Sequence, residues 1–113
     1  MRISIFIDGQ NFFKLQRDIL HWTVDLNAFL KYFQQLGDVI DAFYYTSVKY
    51  PTTETQKRFL DILPVNGYVA ITKPLKKHGP SLKGNMDVEI VLDMFNTVDS
   101  YDMAILVSGD GDF

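Results

Sequence analysis

Four segments of the chain are rich in apolar residues and show little polar alternation. They span residues 3–7, 39–46, 67–72 and 103–107. Continuous apolar runs of this length are typical of strands that are covered on both faces, as in parallel sheets. The pattern therefore predicts four strands, and the continuous apolar runs at residues 5–7 and 103–107 indicate that the first and the last are buried.

Between the strands, apolar residues recur at the spacing of a helix. One apolar face is formed, at i, i+3, i+4 and i+7, by Leu26, Phe29, Leu30 and Phe33. We expect Asp25 or Thr23 to cap the start of this helix and Gly37 to end it in the left-handed conformation. Phe12 and Phe13, which precede it, are expected in the core.

Two further helices are predicted over residues 54–63 and 85–96, and Pro64 is expected to stop the first of them. The predicted buried face of the second helix comprises Val88, Val91, Leu92 and Phe95. Glu89 and Asp93 share a different face and are expected to be mostly solvated.

Strands and helices alternate along the whole chain, which indicates the α/β class. We predict a single domain over residues 1–113, with three layers, α/β/α, and a mainly parallel sheet of at least four strands. Doubly wound domains normally continue after the fourth strand. We therefore expect a C-terminal helix and strand to be missing from this sequence.

The composition narrows the class of protein further. Hydrophobic residues make up 47% and aromatic residues 14% of the chain, which supports a packed core rather than disorder. The chain has no cysteine, which excludes disulfides and thiolate sites and fits a cytoplasmic protein. No apolar stretch approaches the ~18 residues of a membrane span. The net charge of −3 argues against nucleic-acid binding by bulk charge alone.

Carboxylates follow the first and the last predicted strands. Asp8 ends the first strand, and Asp110 and Asp112 follow the last one, separated by a glycine. Asp87 falls in the first turn of the last helix, and Asn11 follows Asp8 closely. Each alone fits a turn, a helix cap or the helix dipole. Ligands of α/β sheets bind at the carboxyl ends of strands, however, and clustered carboxylates attract Mg²⁺ or Mn²⁺.

One segment is densely basic. It contains His78 and the lysines Lys73, Lys76, Lys77 and Lys83. Its glycines and prolines predict a loop over residues 73–84. Two interpretations stay open: a solvated loop, or a loop that contacts phosphates beside the acidic site.

Three stretches together carry a resemblance that covers essentially the whole chain. Residues 5–11 (IFIDGQN), 83–88 (KGNMDV) and 106–113 (LVSGDGDF) resemble the NYN domain, a branch of the PIN-like nuclease superfamily, and in particular its bacterial LabA-like members. The resemblance implies a PIN-like Rossmannoid fold and a metal-dependent ribonuclease. The chain departs from the family at its C-terminus, where the family continues.

The resemblance also implies roles for individual residues. The acidic site of the family is matched by Asp8, Asp87, Asp110 and Asp112. We expect Asp8, Asp87 and Asp110 to hold Mg²⁺ or Mn²⁺, and Asp112 to bind a second ion or position water. Residues expected to bind the substrate are Asn11, Ser108, Lys73, Lys76, Lys77 and Lys83. RNA is the expected partner, cleavage is expected to be internal, and a homodimer stays open.

Other functions fit less well. A haloacid-dehalogenase phosphatase would carry a second Asp two residues after Asp8, where this chain has Gln10. Asp110-Gly111-Asp112 resembles the start of an EF-hand, but the remaining ligands are absent. No Gly-x-Gly-x-x-Gly follows the first strand, which argues against dinucleotide binding. A non-catalytic RNA-binding or regulatory module on the same fold stays open.

Overall fold

The structure, a computed structural model, describes residues 1–74, 76–78, 81–83 and 86–108, the two three-residue segments by their backbone alone. The strands are β1 (Arg2–Asp8), β2 (Asp38–Val48), β3 (Val69–Pro74), β4 (Lys76–His78), β5 (Ser81–Lys83) and β6 (Met103–Val107). The α-helices are α1 (Gly9–Leu15), α2 (Leu26–Gln34), α3 (Glu54–Val65) and α4 (Asp87–Asn96). Among the described residues, every helix falls short of the length and hydrophobicity that a bilayer span needs.

Four strands form one parallel sheet in the order β3-β2-β1-β6. β1 lies in the interior of this sheet, and all of its residues from Ile3 to Asp8 are buried. The predicted α/β class and parallel sheet are confirmed, and β6 coincides with the predicted strand at 103–107. The largely apolar character of β1, in which Ser4 is the one polar residue between Ile3 and Ile7, follows from this position, because helices cover both of its faces.

The two faces of the sheet bury different side chains of the same strands. Ile3, Ile5 and Ile7 of β1 point to one face, where buried residues of α1, α2 and α3 pack on them. Phe6 points to the other face and packs with Tyr45 of β2. α4 covers that second face through Met86, Ile90 and Met94. The three predicted layers are therefore present.

The basic segment does not form the loop that was predicted over residues 73–84. β3 continues to Pro74, and β4 and β5 pair as antiparallel strands with Lys76 opposite Lys83. Gly79 and Pro80, which suggested the loop, fall between these two strands in the sequence. A local turn signal is compatible with strands on either side of it.

The ends of α2 and α3 correct two further expectations. Asp25 caps α2 as predicted, because its carboxylate accepts the N–H groups of Asn27 and Ala28. Gly37 is not left-handed, but a Cβ there would lie 2.5 Å from the carbonyl oxygen of Met1. Pro64 does not stop α3 and lies in its last turn.

The orientation of α4 differs from the prediction. The side chains that were expected to be buried, Val88, Val91, Leu92 and Phe95, are exposed. Ile90 is buried instead, and Glu89 and Asp93 are half-buried rather than solvated. Lys73 Nζ lies 2.8 Å from Glu89 Oε1, and the hydroxyl of Tyr45 donates to Asp93 Oδ2 at 2.8 Å. α4 thus packs on the sheet with the face on which Glu89 and Asp93 bond Lys73 and Tyr45.

Candidate functional site

The carboxyl edge of the sheet brings together the ends of β1 and β6. The two strands run in parallel with Ile7 opposite Val107, so Asp8 and Ser108 are the next residues along neighbouring strands. Asp110 and Asp112 follow Ser108 within a few residues, but they lie outside the described residues. The sheet extends from β1 to β2 on one side and to β6 on the other. This is the topological switch point at which open α/β sheets bind ligands.

Asp8 is a buried carboxylate, with 3% of its surface exposed. Its Oδ2 accepts the Asn11 side-chain Nδ2–H group at 2.6 Å, and its Oδ1 accepts the Asn11 backbone N–H group at 3.4 Å. Asp8 is therefore the N-cap of α1, and Asn11 holds its carboxylate. Within the part of the chain that the structure describes, no Lys, Arg or His forms an ion pair with Asp8.

The charge of Asp8 acts on its surroundings. Tyr44 of β2 is buried, and burial together with the negative charge of Asp8 raises the pKa of its hydroxyl to about 12. Both effects disfavour the phenolate, because a second anion would lie unscreened near the first.

Asp87 begins α4 at the first position of the helix. Met86, directly before it, is buried in the core cluster that contains Phe6 and Ile90, and these contacts fix the start of α4 on the sheet. A carboxylate in a first turn is stabilised by the helix dipole whether or not it binds a ligand. Asp87 is half-buried at the surface of this turn.

The residues expected to contact phosphate have different positions. Lys73 ends up in an ion pair with Glu89, and its hydrogen bond holds the pKa of the Glu89 carboxyl below its usual range. Lys76 and Lys77 belong to β4 and Lys83 to β5, so their backbone forms one hairpin. The side chains of these three lysines lie outside the described residues. Ser108 is half-buried just beyond the end of β6.

The donor set fits a hard cation. Asp8 and Asp87 supply only oxygen ligands, the kind that Mg²⁺ and Mn²⁺ prefer. The buried charge of Asp8, which the described residues leave without a cationic partner, is what a bound ion would compensate. Among the described residues, which do not include Asp110 and Asp112, no three His, Cys, Asp or Glu side chains gather as a ligand set.

A groove beside this edge was not predicted from the sequence. It has a volume of about 960 Å³ and begins at Gly9 and Gln10, directly after Asp8. Phe13 lines it and is 60% exposed, which corrects the expectation that Phe13 belongs to the core. One signal was available in the sequence: Phe12 and Phe13 are consecutive, and consecutive residues of a helix do not share a face.

The fold is a Rossmannoid α/β domain, and the buried carboxylate of Asp8 lies at the switch point of its sheet. Comparison with known proteins gives the family, since the family model of the NYN domain matches residues 2–113. The chain belongs to the NYN domain family, which confirms the resemblance and supports a nuclease or RNA-related role.

Two similar proteins agree with this assignment. The low amplitude and bright protein LabA of Synechococcus elongatus is 41% identical over an alignment of 121 positions. The alignment covers 99% of this chain and 63% of that protein. The chain thus spans less than two thirds of the length of LabA. The crystal structure of a protein of unknown function from Vibrio parahaemolyticus aligns with a TM-score of 0.87 and 34% identity, covering 99% of this chain and 68% of the other.

Proposed function

We propose that this NYN domain is a metal-dependent ribonuclease that hydrolyses phosphodiester bonds inside RNA at the carboxyl edge of its sheet. The observation that carries the proposal is the buried carboxylate of Asp8 at the switch point. Asp8 accepts hydrogen bonds from Asn11 but has no cationic partner among the described residues, and burial of such a charge is usually retained where the charge has a function. Membership of the NYN family gives that function its direction, toward RNA.

The residues divide the work as follows. Asp8, Asp87 and Asp110 would hold Mg²⁺ or Mn²⁺, with Asp112 at a second ion or at a water. When bound, such an ion polarises a phosphodiester and lowers the pKa of water. Asn11 acts on Asp8, because its Nδ2–H bond to Oδ2 fixes the orientation of that carboxylate.

The β4–β5 hairpin and Ser108 are proposed to position the RNA. Lysines at three of the six hairpin positions form a local cationic segment in a chain of net charge −3. Cations near the backbone neutralise phosphates without reading sequence. Lys73 would join them only by exchanging Glu89 for a phosphate, since the two side chains are paired.

The test is cleavage of a 5′-labelled single-stranded RNA and of a structured RNA in Mg²⁺, Mn²⁺ or EDTA. We expect cleavage that requires metal and falls at least about 100-fold in Asp8→Asn and in Asp110→Asn, more than the roughly 10–100-fold that loss of an outer-shell partner costs. Asn caps a helix as well as Asp does, so Asp8→Asn should keep the fold.

Asp61→Asn is the matched control, because Asp61 is an exposed carboxylate late in α3. It should cleave as the unmodified chain does. Full activity of Asp8→Asn or Asp110→Asn would contradict the proposed site.

A second candidate is an RNA-binding module without catalysis. The groove beside Asp8 favours it, because a surface with exposed aromatic side chains can bind RNA without any metal. Stoichiometric binding in EDTA and no cleavage in Mg²⁺ or Mn²⁺ would support this candidate over the nuclease.

A further inference from the structure

The groove lies at the same edge of the sheet as Asp8, on the side of β2. Its walls come from α1, the π-helical segment Gln16–Leu20 that follows it, the segment before α2 and the start of α3. Tyr44, Thr46 and Ser47 contribute the end of β2 to its lining. The lining residues Gly9 and Gln10 directly follow Asp8 in the sequence, so the groove begins next to Asp8. A molecule in the groove would therefore lie beside the acidic site.

Two exposed aromatic side chains stand in the groove. Phe13 is 60% and Trp22 is 59% exposed, although large apolar groups of this size usually lose most of their surface on folding. The guanidinium carbon of Arg17 lies 5.6 Å from the centroid of the Phe13 ring. Aromatic faces stack on planar π-systems, and a nucleobase is one.

The remaining lining combines apolar side chains such as Leu26 and Phe59 with polar ones such as Thr46 and Gln56, and it carries no negative charge. In a chain with 14 acidic residues, none of the described lining residues is Asp or Glu. The ionisable side chains with basic character are Arg17 and His21, and Arg17 is also paired with Asp18. The groove therefore lacks the negative charge that would repel an RNA strand, and it is only weakly cationic.

The side chains of two glutamines form hydrogen bonds with the backbone of the segments that form the walls of the groove. Gln16 accepts the N–H group of Val24 at 2.6 Å and donates to the carbonyl of Phe12 at 3.2 Å, which fixes the segment that carries Trp22. Gln56 donates to the carbonyl of Ser47 at 3.5 Å and ties α3 to β2. These bonds connect the walls to each other. The backbone of these wall segments is thereby partly fixed before any ligand arrives.

We propose that the groove is a nucleobase-binding subsite. Phe13 and Trp22 stack there on an unpaired base, next to the phosphodiester bond that is cleaved at Asp8. The inference rests on the proposed function, which places RNA at this edge. A base held in a duplex is stacked on its neighbours and cannot enter such a groove. The subsite would therefore select unpaired nucleotides and align the backbone past the acidic residues.

Trp22 is the single tryptophan of the chain and reports directly on the groove. The experiment titrates the whole chain, in EDTA, with a short single-stranded oligoribonucleotide and with the same sequence as a blunt duplex. We expect saturable quenching of Trp22 fluorescence by the single strand and none by the duplex. Quenching by both, or by neither, would overturn the subsite.

Variants separate stacking from other contacts. Anisotropy of a labelled oligoribonucleotide should show binding weakened roughly 5–150-fold in Phe13→Ala and in Trp22→Ala, the range for loss of one stacked base. Trp22→Phe should restore most of the binding, because a phenyl ring also stacks. Phe95→Ala is the control, since Phe95 is 76% exposed on the helix that covers the opposite face. Unchanged binding in both alanine variants would overturn the subsite.

Cleavage in Mg²⁺ or Mn²⁺ distinguishes this inference from the proposed function. Base binding at the groove without any cleavage would support the subsite and overturn only the nuclease. Metal-dependent cleavage with unchanged KM in Phe13→Ala and Trp22→Ala would overturn only the subsite. Trp22 fluorescence that changes with protein concentration in the absence of RNA would assign the groove to a second copy of the chain and also overturn the subsite.

Discussion

At the scale of single residues, the pair Asp8 and Asn11 combines a structural and a chemical role. Asp8 caps α1, a helix of only seven residues, and would also be the innermost metal ligand. One carboxylate has oxygens for both tasks, because the Asn11 side chain binds Oδ2 and the backbone N–H group binds Oδ1 at the longer distance of 3.4 Å. The orientation of Asp8 is thus set by local contacts before any ion is present.

Replacing Asn11 by Ala should lower metal affinity more than stability. The change removes the 2.6 Å bond to Asp8 Oδ2 but leaves the backbone bond that caps α1. We expect the Kd for Mn²⁺, measured by calorimetry, to rise about 10–100-fold, as for other outer-shell partners. Asn96→Ala, at the exposed end of α4, is the control. An unchanged Kd would exclude a positioning role for Asn11.

The sequence predicts the place of Asp8 but not its partner. A strand that ends in Asp followed by Gly indicates a strand-end carboxylate, and this position is confirmed. The bond from Asn11 depends on a particular side-chain rotamer, which residue spacing does not determine. Exposure of Trp22 was likewise beyond prediction, because hydrophobicity alone favours its burial.

At the scale of elements, α4 shows why helical periodicity can give the wrong face. The helix carries two apolar stripes, and Val88, Val91 and Leu92 form the denser one. The sheet nevertheless packs on the stripe that contains Ile90. In that orientation Tyr45 and Lys73 bond Asp93 and Glu89, contacts that the hydrophobic pattern alone does not reveal.

Paired substitutions on α4 test this orientation. Ile90→Ala should lower the free energy of unfolding by about 2–5 kcal/mol, as for a fully buried aliphatic side chain. Val91→Ala should change it by no more than about 0.5 kcal/mol, because Val91 is exposed in the structure. Urea unfolding followed by circular dichroism measures both. A larger loss in Val91→Ala than in Ile90→Ala would mean that the predicted face is the buried one.

An ion pair between Arg2 and Asp102 lies at the start of β1, and its contribution to stability should depend on pH. Arg2 lies at the beginning of β1, and its guanidinium and backbone N–H group bond the Asp102 carboxylate, which lowers the pKa of that carboxyl from 3.8 to about 2. A lowered folded-state pKa gives stability that is present above pH 3.8 and is lost as the pH falls toward 2.

Asp102→Asn should therefore be less stable than the unmodified chain at pH 7, and the difference should shrink as the pH falls from about 5 toward 2. Urea midpoints across this range measure the difference. The effect should be small and weaker in high salt, because both side chains are about half exposed. Asp99→Asn, nearby and also exposed, should show no such trend. A difference that grows on acidification would contradict the assignment.

At the scale of the whole molecule, strand order is what gathers the site. Four strands in the order β3-β2-β1-β6 place the first and the last strand of the described chain side by side. Residues 8 and 108 thus meet at one edge although a hundred positions separate them. The alternation of elements predicts a parallel sheet, and the resemblance to the NYN family predicts the meeting of its acidic motifs. The groove depends on how three helices and their connections splay at that edge, which no residue pattern encodes.

A buried acidic site also predicts how metal and stability are coupled. In EDTA, Asp8→Asn should be at least as stable as the unmodified chain. The change removes a buried charge that has no cationic partner among the described residues. Saturating Mn²⁺ should stabilise only the unmodified chain, by about 2.7 kcal/mol at 100 times Kd, which corresponds to a rise in Tm of about 10 °C. The order of stability should therefore invert when metal is added.

Thermal unfolding of both chains with and without Mn²⁺ measures this inversion, with Asp61→Asn as the control. Equal stabilisation of both chains by Mn²⁺ would place the ion elsewhere, and the charge of Asp8 would then need another explanation.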